Sequence, residues 1–262
     1  MSDENARPKL VALIVLDGWG IAPAGPGNAL AQAKLPNFLH LCQTYPALTL
    51  APSDDLLNLT QTLAEHNLRQ IKIAQSVGFV NFVAWLNNGQ DKTWPAEDRK
   101  LIPTPPEENL NDTALSEITD EAIKAVAGEN YDVIEIDLAD AETVGKSGDL
   151  AATIKTLALV DDCLGKIIKA VLQADGVAMV VGRHGKAELM LDMRTDTVVK
   201  ELTNNSLPFI LVGQNFVGQN LGQPEAPDGD LSALAPAGNL GDVEATLLKI
   251  LGIETVAGKS LI

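Results

Sequence analysis

The sequence predicts an α/β fold in which a mostly parallel sheet carries helices on both faces. Short apolar runs that suit buried strands alternate with stretches of helical spacing along the 262 residues. Such alternation is typical of parallel strands joined by crossover helices. Hydrophobic residues make up 46% of the chain, which is ample for a buried core. We see no internal repeat and predict that residues 1–262 form a single domain.

The first half of the chain begins with residues 10–16, a continuous run of Leu, Val, Ala and Ile that predicts a buried strand. A helix is expected to begin at Pro36. Residues 62–65, TLAE, have the form of a capping box and predict a second helix, which passes into a strand. Residues 79–86 are rich in aromatic and β-branched side chains and predict another strand. The Asn-Asn-Gly sequence at 87–89 predicts the turn that ends it.

The second half supplies three more strands and three more helices. The strands are expected at residues 131–138, 177–181 and 208–212. The helices, whose apolar residues recur at helical spacing, are expected at residues 116–127, 150–174 and 243–251. Residues 214–239 are rich in Gly, Pro, Asp and Asn, which predicts a long surface loop.

Charge and composition exclude several classes of protein. The chain has 35 acidic and 19 basic residues, and its formal net charge of −16 opposes binding to nucleic acids and to anionic membranes. Its longest apolar run, residues 10–16, is shorter than the roughly 20 residues that a membrane span needs. The acidic N-terminus lacks the basic start of a signal peptide. Two cysteines, Cys42 and Cys163, suit a reducing compartment, so we expect a cytoplasmic protein.

Acidic residues are concentrated between Glu107 and Glu142, where Lys124 is the only base. Two interpretations are open: a solvated helix face with its loops, or an acidic docking surface.

Three short segments of the chain resemble loops of one known family. They are residues 16–20 (LDGWG), 144–148 (VGKSG) and 180–185 (VVGRHG). They resemble the metal-bearing loops of the cofactor-independent phosphoglycerate mutases, which belong to the alkaline phosphatase superfamily. In that family the second loop reads Asp-Met-Val-Gly-His and the third reads Ala-Asp-His-Gly. The resemblance implies an alkaline phosphatase-like fold.

The resemblance covers nearly the whole chain, in three blocks at residues 13–37, 63–105 and 240–262. Between the first two blocks the family carries a nucleophilic Gly-Asn-Ser-Glu loop and then its phosphotransferase domain. This chain instead passes almost directly from Asp55 to Thr62. The resemblance therefore implies that the nucleophilic serine and the substrate-holding domain have no counterpart here.

The family holds one metal with an Asp and two His, and the other with an Asp, the Ser and the Asp-His pair of the third loop. By resemblance, Asp17 matches the first-loop Asp and Glu142 stands at the second-loop Asp. Lys146 replaces the second-loop His, Arg183 replaces the third-loop Asp, and His184 is kept.

Two further positions depart from the family. Leu202 stands where the family has its last metal-binding His. Gly78 stands where the family has a Lys that contacts the substrate.

The replacements have a direct physical meaning. Metal ligands are carboxylates and neutral imidazoles, and a guanidinium cannot lose its proton in a protein. Arg183 therefore cannot bind a dication, and a buried Asp17 or Glu142 with neither metal nor cation would be costly. We predict that Arg183 and Lys146 pair with Asp17 and Glu142, in an ion-pair cluster where the family holds two metals.

For three other residues, a catalytic role has to be weighed against an ordinary structural one. Ser53 precedes the missing serine loop, and Thr60 lies near a predicted helix start that would favour phosphate. Turn and cap roles are the preferred explanation of both residues. His184 is a candidate base or single metal ligand, although a His beside Gly at a strand end is also commonly structural.

We therefore expect a catalytically inactive protein of this kind, without metal, that has a scaffold, regulatory or partner-binding role. A protein partner or self-association is implied, with contacts expected at residues 107–142 and 214–239. The alternative is a phosphate or sulfate ester hydrolase that uses one manganese or zinc ion on Asp17, Glu142 and His184. A third hypothesis is an active phosphoglycerate mutase.

Overall fold

The computed structural model describes residues 7–104, 113–192, 194–222, 226–254 and 258–262. The acidic N-terminus, and parts of the two proposed contact regions at residues 107–142 and 214–239, lie outside the described residues.

Among the described residues, one sheet has eight strands: β1 (Val11–Gly18), β2 (Ala47–Ala51), β3 (Gln70–Gln75), β4 (Glu97–Ile102), β5 (Val133–Leu138), β6 (Val177–Gly185), β9 (Leu207–Val212) and β10 (Gly238–Asn239). Their order in the sheet is β10-β2-β9-β6-β1-β5-β3-β4. Two short strands, β7 (Leu191–Asp192) and β8 (Thr197–Val198), pair antiparallel outside this sheet. Strand β1 is central and runs parallel to both β5 and β6, whereas β9 is antiparallel to its two neighbours.

Eight α-helices accompany the sheet in the described part of the chain. They are α1 (Ala29–Gln32), α2 (Pro36–Thr44), α3 (Leu59–Glu65), α4 (Phe79–Leu86), α5 (Thr113–Ala127), α6 (Asp140–Gly145), α7 (Leu150–Gln173) and α8 (Asp242–Ile250).

The sheet separates two apolar cores, which explains why its strands are apolar throughout. Every residue of β1 is buried. Its even-numbered residues from Ala12 to Leu16 pack with α5 and α7. Its odd-numbered residues from Val11 to Val15 pack with α4 and α8 on the other side. A strand buried on both faces is expected to be a continuous hydrophobic run rather than an alternating one.

The predicted α/β class is confirmed, with a mostly parallel sheet and helices on both of its faces. The predicted strand at residues 10–16 is β1, and the long predicted helix at 150–174 is α7. The turn at 87–89 is also present, with positive φ at Asn88 and Gly89.

The prediction of a strand at residues 79–86 is wrong, because this segment forms α4. Its buried residues are Phe79, Phe82, Val83, Trp85 and Leu86. These positions recur at intervals of three and four, which is the period of a helix. The aromatic and β-branched composition favoured a strand, but the spacing of the buried face decided the structure.

The capping-box prediction at residues 62–65 is also wrong in its position. Helix α3 begins at Leu59 after the N-cap residue Asn58, so Thr62 lies inside it. The Thr62 hydroxyl donates to the Asn58 carbonyl at 3.0 Å, which is the backward bond that a mid-helix Thr commonly makes.

The predicted loop at residues 214–239 contains short ordered elements among its described residues. Three 3-10 turns lie at Gln214–Phe216, Pro227–Gly229 and Leu231–Ala233. Its last two residues form β10, which pairs with β2.

Two remaining observations concern the cysteines and the length of the helices. Cys42 and Cys163 are both buried and free. Within the described ranges, no helix is long and apolar enough to cross a membrane.

Candidate functional site at the carboxyl ends of the central strands

The candidate site lies where the three central parallel strands end. Asp17 is near the end of β1, Asp137 is near the end of β5, and Arg183 and His184 are near the end of β6. Parallel neighbours end at the same edge of a sheet, and ligands of open α/β sheets bind at that edge. Helix α6, which follows β5, adds Glu142, and the residue that caps its C-terminus adds Lys146.

The last residue of β1 approaches α6 so closely that it must be glycine. Gly18 has φ of +88°, and a Cβ atom there would lie 2.4 Å from the backbone nitrogen of Glu142. Both the backbone conformation and the contact exclude a side chain. The close approach brings Asp17 and Glu142 to the same place.

Glu188 fixes the loops on the other side of the site. Its carboxylate accepts the backbone N–H groups of Gly20 at 3.1 Å and Lys186 at 2.7 Å. It also accepts the side-chain amide of Asn205 at 3.0 Å. A carboxylate with several donors is held in one orientation, so it ties the first and third loops together.

The structure brings together all five residues predicted from the sequence. Arg183 Nη1 lies 3.6 Å from Asp17 Oδ2, and Lys146 Nζ pairs with Glu142 Oε1 one helical turn earlier. His184 Nδ1 lies 2.8 Å from Asp17 Oδ1 and 3.5 Å from Glu142 Oε2. Both expected cation–carboxylate pairs are therefore present in the geometry.

Arg183 has two further contacts that hold its guanidinium in place. The guanidinium carbon lies 5.3 Å from the centre of the Trp85 ring, within the range of a cation–π interaction. Its Nη2 donates to the backbone carbonyl of Asn81 at 3.3 Å. Both partners are on α4, so this helix braces Arg183 over the end of the sheet.

Protonation in the cluster follows from these contacts. Burial lowers the pKa of His184, but its hydrogen bonds with Asp17 and Glu142 raise it to about 9 overall. Burial raises the pKa of Glu142, but its contacts with His184, Asp17 and Lys146 bring that pKa below its usual value. Burial raises the pKa of Asp17, and the hydrogen bond and charge of His184 oppose that rise without cancelling it. At neutral pH His184 is therefore a third cation of the site.

Asp137 belongs to the site and was not found from the sequence. Its side chain is buried in β5, and its Oδ1 has no hydrogen-bond partner among the described residues. Burial raises the pKa of Asp137 well above its usual value, and the negative charge of Asp17 raises it further. An Asp within the apolar strand VIEIDL was the one signal available in the sequence.

A cavity of about 500 Å³ opens above these groups. Besides the charged cluster, its lining includes Gly78, Trp85 and Leu202. Gly78 and Leu202 are the two further positions at which the sequence departs from the family it resembles, and both line this cavity.

The alternative nucleophiles lie elsewhere. Thr60 is fully buried, and its hydroxyl donates to the Leu86 carbonyl at 3.1 Å within the core under α4. The Ser53 hydroxyl is also buried, without a hydrogen-bond partner among the described residues. Neither residue is part of the cavity lining.

The donor set decides which metal arrangement the site could hold. The ligand atoms of Asp17, Glu142 and His184 all lie within 4.8 Å of one another. Two carboxylates and an imidazole are ligands of the right type for one transition-metal dication. However, Arg183 and Lys146 are already placed on those carboxylates. The residues present do not fit a pair of metals, and they fit one only if the cations are displaced.

Curated relatives match most of the chain. The 2,3-bisphosphoglycerate-independent phosphoglycerate mutase 2 of Methanosarcina barkeri is 32% identical over 247 residues, which are 90% of this chain and 44% of that protein. The 2,3-bisphosphoglycerate-independent phosphoglycerate mutase of Gloeobacter violaceus is 34% identical over 224 residues, or 82% of this chain and 40% of that protein. The chain thus spans less than half the length of these relatives.

Solved structures share the fold. Phosphoglycerate mutase of Leishmania mexicana has a TM-score of 0.65 at 24% identity, over 77% of this chain and 38% of that chain. Alkaline phosphatase from the Antarctic bacterium TAB5 has a TM-score of 0.59 at 12% identity, over 95% of this chain and 99% of that chain. At these identities the similarity establishes an alkaline phosphatase-like fold and nothing finer.

A family model described as the metalloenzyme superfamily matches residues 9–255, which is nearly the whole chain. Together with the sequence relatives and the shared fold, this match identifies the family. The chain belongs to the metalloenzyme superfamily.

Proposed function

We propose that this chain is a non-catalytic member of its superfamily, in which protein cations take the place of inorganic ones. The observation that carries the proposal is the position of Arg183, whose guanidinium lies 3.6 Å from Asp17. A guanidinium keeps its charge at any physiological pH and has no lone pair to give to a metal. It repels a dication while supplying the charge that a buried carboxylate needs.

Lys146 and His184 support the same interpretation. Lys146 pairs with Glu142, and contacts with Asp17 and Glu142 hold the pKa of His184 at about 9. A protonated imidazole cannot bind a metal until it loses its proton. Three cations therefore oppose a metal ion at neutral pH.

The cavity also lacks an evident nucleophile for phosphoryl transfer. Thr143 is a hydroxyl-bearing residue in its lining. Its hydroxyl donates to the carbonyl of Ala139 at 3.2 Å in the first turn of α6, which is a structural bond. A covalent mechanism needs a nucleophile beside an activating base, and nothing among the described lining residues supplies that pair.

The protein would then keep the fold in order to bind another protein, with a scaffold, regulatory or partner-binding role. A protein partner or self-association is part of this proposal. A cytoplasmic location is part of it too, since the free thiols of Cys42 and Cys163 suit a reducing compartment.

The test replaces the two cationic side chains of the site with side chains that can bind a metal. The double variant Arg183→Asp/Lys146→His replaces both cations with residues able to bind metal. We expect the wild-type chain to leave p-nitrophenyl phosphate unhydrolysed with added Mn²⁺ and to retain no metal after purification. We expect the double variant to bind Mn²⁺.

The matched control, Arg194→Asp/Lys124→His, makes the same changes at exposed positions away from the site and should not bind Mn²⁺. Mn²⁺-dependent turnover by the wild-type chain would contradict the proposal.

The second candidate is a phosphate or sulfate ester hydrolase with one manganese or zinc ion on Asp17, Glu142 and His184. The clustering of their donor atoms within 4.8 Å favours it. In that case the wild-type chain would hydrolyse the ester only with metal, and His184→Gln would abolish the activity. Phosphoglycerate mutase activity is the least supported, because no segment between Asp55 and Thr62 could carry the nucleophilic loop.

A further inference from the structure

Helix α4 and the two residues before it are apolar on nearly every side, although one side faces solvent. In residues 77–86, VGFVNFVAWL, the only hydrophilic side chain is that of Asn81. One side of the helix, which includes Phe79 and Phe82, is buried in the core. On the opposite side Val80 is 58% exposed. A helix that is hydrophobic all round is normally buried, so the outer side of α4 is expected to meet another surface.

The exposed apolar residues of this region form one continuous surface. Val77, Val80 and Ala84 are spaced three and four residues apart, which is the spacing of one helical face. Leu56 extends that face, because it lines the same cavity as Val77 and Ala84 and its Cδ1 atom lies 3.3 Å from the Cβ position of Gly89, just after α4. Val77 and Leu56 are 63% and 51% exposed. We call Leu56, Val77, Val80 and Ala84 the α4 face, and contiguous apolar surface of this kind marks an interaction site.

The charged residues beside the α4 face do not call for a charged ligand. Arg183 lies 3.6 Å from Asp17, and Lys146 pairs with Glu142. Cations and carboxylates of the cavity are thus matched to one another. What the α4 face itself can offer is apolar contact.

Charge nevertheless distinguishes between a second copy of this chain and a different protein. Asp54 and Asp55 directly precede Leu56 and are exposed. A second copy would bring the same two acids to the same surface, together with its own net charge of −16. Like charges across an interface oppose association, whereas a basic partner is attracted.

We propose that the α4 face binds an amphipathic helix of another protein. Apolar residues of that helix pack along Val80 and Ala84, and basic residues at its edge meet Asp54 and Asp55. A helix is the matching element, because side-chain ridges of one helix fill the grooves of another. The inference rests on the proposed function in that it names the chemistry of the partner. It does not depend on whether the neighbouring cluster holds a metal.

The experiment measures, by fluorescence anisotropy, the binding of a fluorescein-labelled peptide of leucine and lysine to the full chain. The leucines occupy the a and d positions of heptads, so that the peptide forms a basic amphipathic helix. We expect the wild-type chain to bind it and Val77→Gln/Val80→Gln to bind it at least about 10-fold more weakly, because two apolar contacts are lost. The matched control, Val198→Gln/Val217→Gln, changes two valines that are each 52% exposed outside the α4 face and should leave the affinity unchanged.

The charge part of the proposal has its own variants. Asp54→Asn/Asp55→Asn should weaken binding about 2- to 10-fold, the effect of two exposed ion pairs. Glu117→Gln/Asp120→Asn removes two exposed acids of α5, which lies on the other side of the sheet, and should have no effect. A peptide with glutamate in place of lysine, and a peptide of the same composition without the heptad spacing, should both bind more weakly. In hydrogen exchange, the bound peptide should protect α4 and residues 54–58.

Three results would overturn the inference. They are no binding of the peptide to the wild-type chain, equal affinity of the wild type and Val77→Gln/Val80→Gln, which assigns the binding to net charge alone, and dimerisation of the free chain that is lost in this variant. The last, measured by sedimentation equilibrium, assigns the α4 face to a second copy. The metal content and ester hydrolysis of the same preparation test the proposed function separately, and circular dichroism confirms that each variant is folded.

Discussion

His184 is the residue whose protonation most directly reports the state of the site. Its ring contacts both Asp17 and Glu142, which are the two carboxylates that a metal would need. If a metal were bound, the ring would be neutral and held by the ion. If the protein cations hold the site, the ring shares its proton with two carboxylates.

We predict that NMR titration of the His184 ring in chelator will give a pKa near 9. Asp17→Asn should lower that pKa, because the Asp17 hydrogen bond is the largest of the contacts that raise it. A wild-type pKa at or below the ordinary value of about 6.5 would contradict the contacts described here.

The same contact makes stability depend on pH. Because the folded-state pKa of His184 is raised above the unfolded value, its stabilisation is complete below about pH 6.5 and is lost as the pH rises through about 9. The free energy of unfolding in urea should therefore fall across this window in the wild-type chain and fall less in His184→Gln. Identical pH dependences of the two proteins would show that the pairing contributes nothing to folding.

At the scale of elements, the carboxyl end of β1 is the part of the site most sensitive to a single added methyl group. Gly18 has positive φ, and a Cβ atom there would collide with the backbone at the start of α6. We expect Gly18→Ala to lower the free energy of unfolding by at least about 1–2 kcal/mol, the cost of the left-handed conformation alone.

Gly25→Ala is the matched control for this variant. Gly25 lies in the same N-terminal region, has no atom within 4 Å of the Cβ position, and lacks a positive φ. Its free energy of unfolding in urea should stay close to that of the wild type. Equal stability of the two variants would mean that the end of β1 relaxes freely and that α6 does not constrain Asp17.

Sequence reasoning located elements well where composition and periodicity agreed. The run at residues 10–16 and the long amphipathic helix α7 are examples. It failed at α4, where aromatic and β-branched residues are spaced as in a helix. It also gave no sign of β4, whose sequence EDRKLI is mostly charged because it is an edge strand with exposed positions. Edge strands commonly carry charge, which hides them from hydrophobic patterning.

At the scale of the whole molecule, strand order brings together residues that are far apart in sequence. Strand β1 lies between β5 and β6, and residues 16, 138 and 182 are neighbours across these strands. The residues that follow them therefore meet at one edge of the sheet. The resemblance predicted the five charged members of the cluster because each matches a position of a known loop. It could not predict Asp137 or Trp85, because what these residues do depends on the space that neighbouring side chains leave.

Buried charge elsewhere in the sheet was equally invisible from the sequence. Lys72 of β3 is fully buried, with Glu135 at 3.0 Å and Glu97 at 3.6 Å. Lysine is almost never fully buried unless it is paired, and the pairing partners come from β5 and β4. Only the tertiary structure identifies such a group as internal.

Equilibrium dialysis of the chelator-treated wild-type chain against micromolar Mn²⁺ or Zn²⁺ at neutral pH tests the central claim most directly. The bound metal would be read by mass spectrometry. With Arg183, Lys146 and His184 supplying the positive charge, we expect no stoichiometric binding of either ion. One tightly bound ion per chain, lost on replacing Asp17 or His184, would contradict the account.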